Sequence, residues 1–241
     1  MHYFEQKPED NTFTLLMVDL THRCNMECSN CYIPNREIPD MEVEPLYEFL
    51  KKLPNKFSLR LRNRDVWIQP YEYQYKGLDD HIISIFFLDT DLDENLIDDR
   101  VISLRLYSGD KDHRILQEAI LGFGGVRLLE ILGYENIQTY HMNEGHCAFL
   151  TLSLLEKFKG DENKVRSLCH FTTHTPVEAG HDHFNIERCR KLLKGLLPQN
   201  LDLPSWVQNS RLHMTELGLF FSRSANGVSK LHGKVAQEQF P

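Results

Sequence analysis

From about residue 59 onward, short β-rich runs alternate with stretches of helical period, and this alternation most narrows the folds open to the chain. Residues 65–69, 81–89, 138–142 and 167–173 are rich in β-branched, aromatic and other apolar side chains and read as strands. Residues 110–132, 147–159 and 214–228 repeat apolar positions every three or four residues and read as helices, the first broken around Gly122-Phe123-Gly124-Gly125. Strands that alternate with helices predict an α/β fold, a parallel sheet with helices on its faces. With 241 residues, 41% of them hydrophobic, the chain can bury a core for one large domain or two small ones.

A net charge of −8 and a pI near 5.8, with no clustered Lys/Arg face, argue against nucleic acid or an anionic membrane as partner. The longest apolar run, residues 82–88 interrupted by Ser84, is too short to span a bilayer, and the first ten residues are polar and acidic rather than signal-like. The expected compartment is the cytoplasm. Of six cysteines, three fall within eight residues, a spacing that fits a reduced compartment and a metal centre better than a disulfide framework.

Other signals point to structure rather than chemistry. The run Asp89-Thr90-Asp91-Leu92-Asp93-Glu94-Asn95 opens like a calcium loop, but Glu94 stands where that loop needs glycine and Arg100 where it needs glutamate. Gly122, Gly124 and Gly125 fall in a helical pattern, so close helix packing explains them better than a dinucleotide loop. His170, His174, His181 and His183 lack the one-face spacing of a zinc helix. Cys147, Cys169 and Cys189 read as buried thiols.

Cys24, Cys28 and Cys31 form a CxxxCxxC triplet directly after residues 12–20, an apolar strand-like run. Three thiolates on one loop suit an iron–sulfur cube with an open iron, while His22 as a fourth ligand would give a zinc site instead. The segment resembles the start of the radical S-adenosylmethionine enzymes, over about residues 10–60. That resemblance implies a [4Fe-4S] cluster on Cys24, Cys28 and Cys31 with S-adenosylmethionine on its open iron, in a truncated βα start of a barrel. A helix over residues 41–53 and a second strand over 57–61 would continue it. The family's glycine-glycine-glutamate turn has no counterpart, since the first glycine of the chain is Gly77.

Seven blocks, in order, resemble the N-terminal half of α-glucan (glycogen-type) phosphorylases over about residues 59–241. They are Arg64-Asp65-Val66-Trp67, Phe87-Leu88-Asp89-Thr90-Asp91, Arg105-Leu106-Tyr107-Ser108-Gly109-Asp110, Gly124-Gly125-Val126-Arg127, Tyr140-His141-Met142-Asn143-Glu144-Gly145-His146, Phe171-Thr172-Thr173-His174-Thr175-Pro176 and Asn226-Gly227-Val228-Ser229-Lys230-Leu231-His232-Gly233. The resemblance implies a Rossmann-like lobe of a two-lobed GT-B-type fold and retaining phosphorolysis of α-1,4-glucans such as maltodextrin to glucose 1-phosphate. It implies that the His174 backbone carbonyl stabilises positive charge at the reacting glucosyl unit, and that Asn143, Glu144 and His146 line the glucan cleft. A plainer alternative is that Asn143 and His146 cap the helix that starts near Cys147. The family's pyridoxal phosphate is held by a lysine of the C-terminal lobe, which lies beyond Pro241.

The expected organisation is therefore a radical-enzyme-like fragment over residues 1–58 and a phosphorylase-like fragment over 59–241. Phosphorolysis by the chain alone is not expected. The competing readings are a radical enzyme with a borrowed tail, a non-catalytic glucan-binding module, and an artificial fusion joined without a Gly/Ser/Pro-rich linker.

Overall fold

The computed structural model describes residues 50–76, 82–105, 110–175, 177, 180–197, 207, 208 and 210–240. The expected strand over 12–20 and the cysteine triplet lie outside them. The described residues fall into two compact units, one made of residues 50–57 and 67–105, the other of residues 58–66 and 110–240.

β3 (Arg64–Lys76) enters the first unit at Trp67 and runs antiparallel to β4 (Ile82–Asp89), from Gln69 opposite Asp89 to Lys76 opposite Ile82. The short β1 (Lys51–Lys52) pairs with β3 from its other side. Strands were expected over 65–69 and 81–89, but a sheet of antiparallel hairpins replaces the expected parallel one, because the connections are too short to carry a crossover helix. Lys51 and Lys52 are strand, where a helix over 41–53 was expected. Buried Asn95 secures the loop after β4: its amide oxygen accepts from Trp67 N (2.8 Å), and its Nδ2 donates to Trp67 O and Thr90 O (both 2.8 Å). The calcium-like run is a salt-bridged loop instead, with Arg100 2.6 Å from Asp91 and 3.0 Å from Asp93 at α1 (Ile97–Arg100).

The second unit opens with β2 (Phe57–Leu61), whose residues from Ser58 on lead through a two-residue turn into β3. Arg62 and Asn63 both have positive φ, 52° and 61°, the conformation that matches a tight hairpin to strand twist. The strand expected over 57–61 therefore exists, as an antiparallel hairpin rather than the second strand of a βα barrel.

Part of the remaining second unit is the anticipated α/β pattern, while helices at 162–168, 186–192 and 230–239 and a small antiparallel sheet were not expected. Asp110 caps α2 (Lys111–Ala119) by accepting from His113 N at 2.9 Å. The helix does not break at the glycines. It passes through a π-helical turn (Ile120–Gly124) into α3 (Gly125–Ile131). Gly122 is needed there: a Cβ on it would stand 2.6 Å from Leu150 N and 2.7 Å from Phe149 Cβ, on the buried first turn of α4 (Phe149–Lys157). The close-packing reading holds at Gly122, while a Cβ on Gly125 would meet nothing within 4 Å.

β5 (Tyr140–Asn143), β6 (Cys169–Thr173) and β10 (Ser224–Gly227) form a parallel sheet of order β10-β6-β5. Its register places Met142 beside Phe171, and Gly227 beside Thr173. Its core face buries Met142 and Phe171 completely, with the Phe171 ring against Gly218 of α7 (Met214–Phe220). The helix expected over 214–228 stops at Phe220, and its last residues are β10. α5 (Glu162–Leu168) precedes β6, and α8 (Lys230–Gln239), capped by Ser229, follows β10. A small antiparallel sheet, β7 (His183–Asn185) with β9 (Arg211–His213) and β8 (Val207–Gln208), sits with α6 (Ile186–Leu192). Among the described residues no helix is long and apolar enough to cross a membrane.

Candidate functional site

In a parallel sheet all carboxyl ends share one edge, where such folds receive ligands. At this edge the chain leaves β5 into Glu144, β6 into His174 and β10 into Val228. Glu144 leads into a single 3₁₀ turn (Gly145–Cys147) with φ 77° and ψ 171°. Its N–H donates to Thr172 O at 2.9 Å. Its Oε1 accepts from Gly145 N (3.1 Å), and its Oε2 from the backbone N–H groups of His174 (2.7 Å) and Thr175 (2.8 Å). Glu144 itself is thus the cap. Asn143 and His146 are not, and the helix-capping alternative for them fails on this geometry.

Asn143 is exposed, and His174 presents an exposed imidazole beside it on the same edge. His146 is part-buried on the 3₁₀ turn, and its ring makes no hydrogen bond with the described residues. Burial, helped by the Arg114 cation, pushes its imidazole down to about 4, so the ring is neutral at physiological pH. It keeps one donor and one acceptor for a ligand. Gly145 fits because a Cβ there would come within 3.0 Å of Thr215 Oγ1 and 3.1 Å of Thr215 N. Cys147, Cys169 and Cys189 are buried thiols, as expected, each pushed up by burial to about 12 and inert as nucleophiles.

Two groupings escaped the sequence reading. Behind His146, Arg114 Nε lies 3.0 Å from Glu118 Oε1, and Arg114 Nη2 lies 3.1 Å from Asp182 Oδ2. Glu118 is 1% exposed and neither of its oxygens is well aligned with a donor. Burial, then the negative charge of Asp182, holds its carboxyl well above the usual carboxylate range. The i,i+4 spacing of Arg114 and Glu118 was a readable signal, but Asp182 was not.

On the polar face of the sheet, His141 Nε2 meets Thr172 Oγ1 at 2.7 Å, and Thr172 Oγ1 donates to Asn226 Oδ1 at 2.9 Å. His170 Nε2 reaches the same oxygen at 2.7 Å, and Ser224 Oγ meets His170 Nδ1 at 2.8 Å. These partners select the Nε2–H tautomer of both rings. The signal was alternation, His141-x-Asn143 beside His170-x-Thr172.

Among the described residues no group of three or more His, Cys, Asp or Glu side chains is arranged to hold a metal ion. Cys24, Cys28 and Cys31 lie outside the described residues. The groups gathered at the strand ends include no lysine, so they do not fit covalent attachment of pyridoxal phosphate.

The depressed histidines make fold stability pH-dependent. His213, which caps α7, is likewise pushed down to about 4 by burial and by His183 and His181. Between about pH 6.5 and pH 4 the unfolded chain binds protons at these rings and the folded chain does not, so their contribution is complete above that window and is lost as pH falls through it. A fully shielded ring with this shift corresponds to about 3 kcal/mol, and part-buried His146 and His213 each contribute less because solvent screens them. Glu118 acts in the opposite sense, adding stability as pH falls. Urea midpoints across this window are expected to fall less for His146→Asn and His213→Asn than for the parent chain, and equal slopes would contradict the assignment.

The chain is homologous to glycogen and maltodextrin phosphorylases over 65 to 86% of its length. It is 35% identical to maltodextrin phosphorylase of Thermococcus litoralis over 218 residues, 86% of this chain and 25% of the relative. It is 36% identical to glycogen phosphorylase of Mycobacterium tuberculosis over 183 residues, 66% of this chain and 21% of the relative. With glycogen phosphorylase of Aquifex aeolicus the identity is 34% over 180 residues, 65% of this chain and 25% of the relative. The chain thus spans about a quarter of the length of the curated relatives it matches. The Thermococcus match covers more than the three quarters of the chain from residue 59 onward, so it reaches upstream of that residue. No family model matches the chain.

Proposed function

We propose that this chain supplies the glucan-receiving strand edge of an α-glucan phosphorylase, the part that binds and orients a maltodextrin or glycogen end for phosphorolysis. The observation that carries this reading is the convergence of Asn143, Glu144, His146 and His174 on the carboxyl edge of one parallel sheet, in a chain similar to enzymes named for those two glucans. A neutral His146 and the exposed Asn143 amide offer donors and acceptors suited to sugar hydroxyls. On this reading the His174 carbonyl, just past the end of β6, meets positive charge as a glycosidic bond breaks. Pyridoxal phosphate supplies a phosphate group as proton shuttle in the family; the residues of this edge bind and orient sugar, and its attachment belongs to other residues.

The test separates binding from turnover. The chain is expected to be retained on an amylose column and eluted by maltose. Incubated with maltodextrin, phosphate and pyridoxal phosphate, these 241 residues are expected to release no glucose 1-phosphate above background. Passage through the column unretarded would overturn the glucan reading, and release of glucose 1-phosphate would overturn the division of labour.

A further inference from the structure

We propose that Glu144 is a positioning residue whose carboxylate locks the His174–Thr175 backbone at the end of β6. The site edge is thereby set before a sugar arrives. What it is set for rests on the glucan reading above; the lock itself does not.

Three independent features carry this. First, φ 77° with ψ 171° is a backbone region almost reserved for glycine, yet a glutamate occupies it. Glycine would adopt that conformation without strain, so the fold alone gives no reason for a side chain there. Second, the side chain is fully engaged. It accepts from the N–H of its own turn at Gly145, and from two N–H groups some thirty residues away, at 2.7 and 2.8 Å. Such charge-assisted bonds are short and directional. Third, the clamp is anchored at both ends. Glu144 N donates to Thr172 O on β6, while a Cβ on Gly145 would come within 3.0 Å of Thr215 on α7, so the turn is held against both elements. A carboxylate spent on three backbone donors is not free to take a sugar hydroxyl as its main partner. Its contribution is to orient the His174 carbonyl and imidazole, while Asn143 and His146 face the ligand.

The test uses the whole chain, isotope-labelled for NMR, with maltoheptaose as the probe. In Glu144→Gln a neutral amide replaces the carboxylate, so at least one of the three N–H donors loses its acceptor and the others lose a charge-assisted bond, and in Glu144→Gly the clamp is absent but the backbone strain is released. In both, amide hydrogen exchange at His174 and Thr175 is expected to accelerate about tenfold or more. Glu144→Gly is expected to match or exceed the parent thermal midpoint while binding maltoheptaose about tenfold more weakly. Unchanged exchange at His174 and Thr175 in either variant would overturn the proposal. So would a fall in the Glu144→Gly midpoint that accounts for all of the lost affinity, which is what a merely structural glutamate predicts. If exchange accelerates and the parent chain binds no maltoheptaose, the clamp stands and the glucan reading falls.

Discussion

Arg114→Met is expected to cost about 1–3 kcal/mol of stability at neutral pH, the range for leaving buried or part-buried polar groups without their partner. Arg114 is 14% exposed at its side chain and stands between Glu118, at 1%, and Asp182, at 34%. Removing its cation leaves Asp182 uncompensated and Glu118 with no positive neighbour at 3.0 Å. Glu118→Gln is expected to do the opposite. Because folding already drives the Glu118 carboxyl well above the carboxylate range, an uncharged isostere removes a penalty, and stability at neutral pH should hold or rise. The arginine also helps depress His146, so in Arg114→Met the His146 ring is expected to titrate closer to its ordinary value. Urea unfolding of both variants, with an NMR titration of His146, tests this. A loss under about 1 kcal/mol for Arg114→Met would contradict the account.

Phe171→Ala, at the centre of the parallel sheet, is expected to cost about 3–5 kcal/mol. Its ring is fully buried, and a Cβ on Gly218 of α7 would stand 2.6 Å from ring atoms Cδ2 and Cε2. Gly218→Ala alone therefore overpacks the contact and is expected to cost about 1–3 kcal/mol. The two are not expected to add. Trimming the ring vacates the space that the new methyl needs, so the double variant should be more stable than the sum by about 1 kcal/mol or more. Simple additivity in a double-mutant cycle would mean that α7 does not pack on Phe171 as described.

The sequence carried much of this sheet, and the reasons for its silences are physical. β5, β6 and the helix α4 between them were legible because each pattern is local, strand alternation at 140–143 and then helical spacing over α4, whereas the short helix α5 was not expected. β10 was not, since Ser224-Ala225-Asn226-Gly227 holds no β-branched or aromatic residue and is a strand only through its parallel pairing to residues 170–173. The antiparallel run of residues 57–89 was misjudged because its first turn, Arg62-Asn63, carries no glycine to announce a hairpin. For the site, motif wording brought Asn143, Glu144, His146 and His174 forward, and they do share one edge. The role of Glu144 could not be read, because its decisive bonds reach a strand 30 residues on. Arg114 and Asp182, 68 residues apart, are joined by folding alone.

The central claim is that the carboxyl edge of the parallel sheet receives an α-glucan. The most direct measurement is a titration of the isotope-labelled chain with maltoheptaose, followed residue by residue in NMR spectra. Saturable shifts concentrated at Asn143, His146 and His174 are the expected result. Shifts that never saturate, or that cluster away from this edge, would contradict it.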